Sequence, residues 1–229
     1  MFYRISLISL AILCSYPTVS LSAELNPKAE IHTKQDLQQL VSQANKGNTA
    51  ALVKLGDHYY SGRKVNHNLT KAIHYYQKAS QLGDPLADYR LGGLYSKGKG
   101  VEKSSKTAFE YYEKAANKGL VAAQMRMAFM YDKGAGVPRD QQKSLEWYRK
   151  AAIKGHPQAQ YKLGVALSTG AGTAANIPQA VAWLERAAKQ GSQLSNVYKA
   201  KLQEKVTPKA LAEARLQIEH EIHAQLSQI

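Results

Sequence analysis

Glycine recurs as Gly47, Gly83, Gly119, Gly155 and Gly191, an even step of 36 residues with no insertion between copies. A fixed period of this size is the mark of a solenoid, in which one small unit is stacked on copies of itself. Other columns keep the same step. A small residue returns as Ala51, Ala87, Ala123 and Ala159, and four residues later stand Leu55, Leu91, Met127 and Leu163. Gly56, Gly92, Ala128 and Gly164 follow, then Tyr59, Tyr95, Tyr131 and Leu167, then the turn glycines Gly62, Gly98, Gly134 and Gly170. The four-residue spacing puts these side chains on one face of a first helix, helix A.

A second helix, helix B, follows the turn. Its apolar positions are Ile73, Phe109, Leu145 and Val181, then the aromatic column Tyr75, Tyr111, Trp147 and Trp183, then Tyr76, Tyr112, Tyr148 and Leu184. Ala79, Ala115, Ala151 and Ala187 come last. Asn68, Ser104, Asp140 and Asn176 stand at its start, four residues that share a side-chain oxygen able to cap the first turn. Lys78, Lys114, Lys150 and Arg186 occupy its last turn, where a cation meets the negative end of the helix dipole. The phase-setting glycines supply the left-handed residue that ends it. Asp84-Pro85 and His156-Pro157 read as a cap followed by a first-turn proline of the next helix A.

The expected architecture is all-α: a solenoid of four 36-residue hairpins spanning 47–82, 83–118, 119–154 and 155–190. No single hairpin can bury both its helices, so each depends on its neighbours. Before the array, residues 24–46 read as a linker over 24–32 and a capping helix starting at Thr33, with Leu37, Leu40, Val41 and Ala44 on one face. After it, 191–229 read as half of a fifth hairpin to Lys205, then a helix opened by Thr207-Pro208 with Leu211, Ala214, Ile218 and Ile222 inward.

These residues resemble the Sel1-like repeat. The pattern is clearest over 119–154, in Tyr131, Gly134, Gly136, Val137, Trp147, Tyr148, Lys150, Ala151, Ala152 and the closing Gly155. The first copy departs from it with Gly62-Arg63-Lys64-Val65 where the pattern has Gly-x-Gly-Val, so an irregular turn is expected there. The fourth copy has Thr173, Leu167 and Leu184 in place of the valine and two tyrosines. The resemblance implies a right-handed α-solenoid similar to tetratricopeptide arrays, and a scaffold or adaptor for protein partners rather than an enzyme. A secreted branch of the family carries a disulfide in each repeat and is associated with penicillin binding or β-lactamase activity. This chain lacks those cysteines, which leaves a β-lactamase-like hydrolase as a remote alternative.

Residues 1–23 differ from the rest. Arg4, an apolar run from Ile5 to Leu13, Pro17, and the small residues Ser20, Ser22 and Ala23 follow the order of a secretory signal peptide, with cleavage after Ser22 or Ala23. The apolar run is too short to span a bilayer comfortably. A periplasmic or secreted protein is therefore expected, with no transmembrane span after cleavage. The one cysteine, Cys14, lies inside this run and follows Leu13, whereas lipidation would need a small residue there. The mature chain then has no cysteine, so packing alone must hold it.

Without Arg4, 30 basic residues face 17 acidic ones, a balance of +13. In an exported protein this charge suits acidic proteins, anionic glycans or a negative membrane face rather than nucleic acid. One basic column stands out on helix A: Lys54, Arg90, Arg126 and Lys162, with Lys97 and Lys133 seven residues after two of them on the same face. It reads either as a ladder lining a concave groove for an acidic protein segment or as solvated surface. An anionic envelope polymer such as peptidoglycan is the alternative occupant.

No catalytic, cofactor or metal motif emerges. Gly98 to Ser104 lacks phosphate-loop spacing and repeats the turn of the other copies. His220 and His223 with Glu219 and Glu221 lack the spacing of a zinc protease helix. The aromatic column reads as packing between repeats rather than as a ligand box.

Overall fold

The computed structural model describes residues 27–227, so the expected signal peptide lies outside the described residues. It contains eleven helices and, among the described residues, no strand. They run α1 (Pro27–Asn45), α2 (Thr49–Ser61), α3 (Leu69–Gln81), α4 (Pro85–Lys97), α5 (Ser105–Asn117) and α6 (Val121–Lys133). The remainder are α7 (Gln141–Ile153), α8 (Pro157–Thr169), α9 (Ile177–Lys189), α10 (Gln193–Gln203) and α11 (Pro208–Leu226). Each helix packs chiefly on its sequence neighbours, and the last departs from this by lying back on α9 and α7. The chain is an all-α solenoid of four hairpins, α2–α3 through α8–α9, with α1 covering the first and the half hairpin α10 and the covering helix α11 following the last.

The helix ends follow from the capping residues. Asn68, Ser104, Asp140 and Asn176 accept hydrogen bonds from the backbone N–H groups of Lys71, Thr107, Lys143 and Gln179, at 2.9 to 3.1 Å. Asp84 caps α4 through Leu86 and Ala87. His156 caps α8 by accepting from Ala159 N–H on Nδ1 at 3.3 Å, and burial holds its pKa below the usual histidine value. Gly83, Gly119, Gly155 and Gly191 end the helices at φ of 86° to 89°, as a left-handed stop requires.

Two expectations change. The helix α1 begins at Pro27, so Thr33 lies within it instead of capping it, and residues 27–32 are helical rather than linker. Proline fits a first turn, where its missing N–H has no partner to lose, and Lys28, Ala29 and Glu30 favour helix. Leu37, Leu40, Val41 and Ala44 do pack against the first hairpin. The turn of the first copy keeps the backbone course of the others, because Lys64 takes the left-handed conformation itself, at φ 66°, although Arg63 N–H donates to Ser61 Oγ where Lys99, Ala135 and Ala171 donate to helix carbonyls. Its counterparts in later copies must be glycine: a Cβ on Gly136 would lie 2.2 Å from Ser105 O, and one on Gly172 would lie 2.6 Å from Gln141 O. Both obstacles belong to the preceding repeat. Lys64 faces only α1, where its ammonium reaches Asp36 at 3.8 Å, so a side chain fits.

Burial runs along the alanine columns. Ala72, Ala87, Ala108, Ala123, Ala151, Ala159, Ala180 and Ala187 are fully buried, which lets neighbouring helices approach closely. The aromatic column is graded. Tyr75 and Tyr111 are half-buried and stack on Tyr59 and Tyr95 of their own repeats, at centroid distances of 5.6 and 5.5 Å, whereas Trp147 and Trp183 are buried. In the first two copies this column therefore binds helix A to helix B within a hairpin as well as packing at the edge of the core that the two repeats share.

At the far end, α11 buries Leu211, Ala214, Ile218 and Ile222 as expected, with Thr207 as its cap. Arg149 donates to both oxygens of Glu221, Arg186 to Glu219, and Arg215 to both oxygens of Glu185. Glu219 and Glu221, beside His220 and His223, are thus engaged in tying α11 to α9 and α7. No helix among the described residues is long and apolar enough to cross a membrane.

Candidate functional site

The helix-A wall carries an open cavity of about 520 Å³ between the first, second and third repeats. Its wall is made by Asp57, Tyr60 and Arg63 in and after α2, by Tyr89, Arg90, Gly93 and Lys97 of α4, and by Arg126 and Phe129 of α6. Tyr76 of α3 and Tyr112 of α5 reach it from behind. Four cations and one carboxylate thus share a surface with five aromatic rings.

The rings reach this wall because helix A gives way to them. Gly56 has no side chain where the Tyr76 ring passes, and a Cβ there would lie 2.4 Å from the ring; Gly92 makes the same room for Tyr112, at 2.9 Å. Tyr76 is thereby carried through to the groove, where its hydroxyl donates to Asp57 Oδ1 at 2.7 Å. Burial, and then this bond to a carboxylate, push the Tyr76 pKa well above the usual tyrosine value. Arg90 donates to the same carboxylate from Nε at 2.9 Å and from Nη2 at 3.2 Å. Burial alone would lower the Arg90 pKa, but the hydrogen bond and charge of Asp57 outweigh it and raise it. The pair is more than a third exposed on both sides, so its net stabilisation is about 1 kcal/mol or less. What the pair does fix is orientation, since a two-point contact holds the guanidinium plane.

The predicted ladder is only partly assembled. Arg90, Lys97 and Arg126 share the cavity; Lys54, Lys133 and Lys162 are exposed and do not line it. Lys133 lies 2.9 Å from Asp132. Arg90, expected as one rung of an open ladder, is tied across the repeat interface to Asp57. The sequence held a signal for this. Asp57 lies one helical turn after Lys54, the residue in Arg90's own column, so stacking brings the two together. Arg63, Tyr60, Tyr89 and Phe129 were missed because they belong to columns without a shared chemistry. Phe129, 46% exposed, was detectable as an aromatic residue in a column otherwise filled by Asp57, Gly93 and Val165.

A second polar column is structural. Asp88, fully buried, accepts from Ser80 at 2.6 Å and from Lys118 at 3.0 Å, and Gln124 and Gln160 in its column donate to the carbonyls of Ala116 and Ala152. Each ties helix A to the preceding helix B. Among the described residues no three metal-ligating side chains cluster.

The Sel1 repeat pattern matches four consecutive stretches, 49–84, 85–120, 121–156 and 157–192, two residues later in phase than the glycine count. A Sel1 repeat protein from Oxalobacter formigenes is 31% identical over 73% of this chain and 49% of its own, with a TM-score of 0.71. The protein c5321, a protective antigen present in uropathogenic Escherichia coli strains and displaying an SLR fold, is 31% identical with a TM-score of 0.64. That match covers 84% of this chain and 43% of the antigen. The chain thus spans less than half the length of either structure. No curated protein is close enough to count as a match. Four adjoining copies of one repeat pattern, seen in both the sequence and the helix pairing, place this chain in the Sel1 repeat family.

Proposed function

We propose that this chain is an exported interaction scaffold that binds an acidic protein segment in the groove between its first three repeats. Sel1-repeat proteins are in general scaffolds for protein interaction, and a groove is where such a scaffold meets an extended partner. The observation that carries the reading is the cavity itself: Arg63, Lys97 and Arg126 line it with no carboxylate bound to them, among the described residues, while Asp57 is already satisfied by Arg90 and Tyr76. The surplus is positive and the walls are aromatic, which suits a segment with acidic residues beside apolar ones. Export rests on the signal-like order of residues 1–23.

Short random peptides selected on the immobilised chain should converge on sequences with acidic residues next to aromatic or aliphatic ones. Binding of a selected peptide should fall about tenfold or more in Lys97→Glu/Arg126→Glu, an effect of the size expected from reversing charges at an interface. The same charge change in Lys54→Glu/Lys162→Glu, outside the groove, should alter it little. Equal losses in the two variants would show that net charge is being read and not the groove. Arg90 is the wrong residue for this test, because a glutamate there would face Asp57 and weaken the repeat interface. Cell fractionation with an antibody to the chain tests export, and retention in the cytoplasm would refute it.

A further inference from the structure

Two successive repeat interfaces open into the groove, and they differ at one residue. At the first, a carboxylate on helix A, Asp57, is held by a tyrosine hydroxyl from helix B, Tyr76, and by an arginine from the next helix A, Arg90. At the second, the tyrosine and the arginine recur one period later as Tyr112 and Arg126. The carboxylate does not: its place in the column is Gly93. Among the described residues, Tyr112 Oη makes no hydrogen bond, although its ring is buried, and Arg126 makes no ion pair. Both line the groove.

Gly93 has no packing reason to be glycine. Its neighbour Gly92 must be one, because the Tyr112 ring occupies the place of a side chain. A Cβ on Gly93 would meet nothing nearer than Tyr112 Oη at 3.7 Å. A glycine inside a helix destabilises it by about 1 kcal/mol relative to alanine. The residue therefore weakens α4 without relieving any crowding, and what it does leave is an open approach to Tyr112 Oη and Arg126. The next residue of that column, Phe129, stands exposed in the same cavity and offers an apolar surface.

We infer that the partner supplies the missing carboxylate: an Asp or Glu side chain of the bound segment enters over Gly93 and is held by Tyr112 and Arg126, as Asp57 is held by Tyr76 and Arg90. The residue beside it in the partner is apolar and lies on Phe129. This deepens the groove reading and rests on it. The chain itself contains the pattern of the contact, and one interface is closed internally while the other is left for a partner.

The test is to close the second interface from within. In Gly93→Asp the chain carries its own carboxylate at that place, and a selected acidic peptide should bind about tenfold or more weakly. The melting temperature should stay the same or rise, because the new carboxylate meets two waiting donors. Gly93→Ala, which adds only a Cβ with nothing nearer than 3.7 Å and so leaves the approach open, should retain most of the binding, and an equal loss in both variants would overturn the inference as a merely steric block. On the unaltered chain, replacing the peptide's acidic residue by its amide should cause a similar loss, and this arm needs no variant to fold. If Gly93→Asp binds acidic peptides as tightly as the parent, the assignment to Gly93, Tyr112 and Arg126 is wrong while the groove reading stands. If no acidic peptide is selected at all, both fall.

Discussion

The two ends of the array are built on the same columns and put them to opposite use. In the first two repeats, glycine at 56 and 92 lets Tyr76 and Tyr112 pass between helices and bring hydroxyls to a wet, charged groove. In the fourth repeat the glycine remains as Gly164 but the tyrosine is Leu184 of α9, which fills the space and is fully buried beside Trp183 in the core that α10 and α11 close. One position thus delivers a polar group where the wall is open and a hydrocarbon where the stack is being closed. A repeat motif therefore does not mark its own site. The candidate site lies where a column breaks its chemistry, as at Asp57, Gly93 and Phe129.

This contrast predicts a gradient of sensitivity. The largest effect is expected at the closed end. Trp183→Ala removes a fully buried ring from the largest core cluster and should destabilise the chain by about 3 to 5 kcal/mol in urea unfolding. A cost below 1 kcal/mol would show that the fourth repeat does not hold the array together. Peptide binding at the groove should survive under conditions where the variant is folded, since repeats couple mainly to their neighbours. At the open end, Tyr76→Phe removes one hydrogen bond while Arg90 keeps Asp57 paired, and a loss of about 1 kcal/mol is expected by the same assay. A loss as large as that of Trp183→Ala would erase the distinction between the ends.

The smallest effect concerns the caps, where Asp84 in the second repeat corresponds to His156 in the fourth. His156 accepts a backbone N–H, which only the neutral ring can do at that nitrogen, and burial lowers its pKa below 6.5. The unfolded chain then binds more protons than the folded one just below the ordinary histidine pKa. Stability is full above about pH 6.5 and declines as pH falls through the lowered value. The decline should be about 1 kcal/mol or less, the usual size of a cap, and His156→Asn should flatten it in a pH series of melting temperatures. An unchanged slope would show that the cap is not its source.

Most of the fold was legible because its determinants are local and repeated four times. The caps Asn68, Ser104, Asp140 and Asn176, and the inward face Leu211, Ala214, Ile218 and Ile222, could be read from spacing alone. The start of α1 was not, since no repeat fixes its phase and Thr33 offered a competing cap. The groove was half legible. A column of cations is visible in the sequence, but whether a cation is paired depends on stacking, which sets Arg90 against a residue 33 positions earlier. The buried column Asp88, Gln124 and Gln160 was readable by the same period and went unnoticed, because polar residues on helix A look like surface until the preceding helix B is in place.

Lys64 records a direction in the array. Where the second, third and fourth repeats carry Gly100, Gly136 and Gly172, any side chain would run into the repeat before. At this position a copy of such a unit meets no obstacle inside the stack. A copy of the first unit cannot be placed there without first changing Lys64, because its side chain would strike the preceding helix B. At this position the second and third units are free to be repeated inside the stack while the one that meets α1 is not, and the residue at 64 is what an evolving array would have to give up before that unit could move inward.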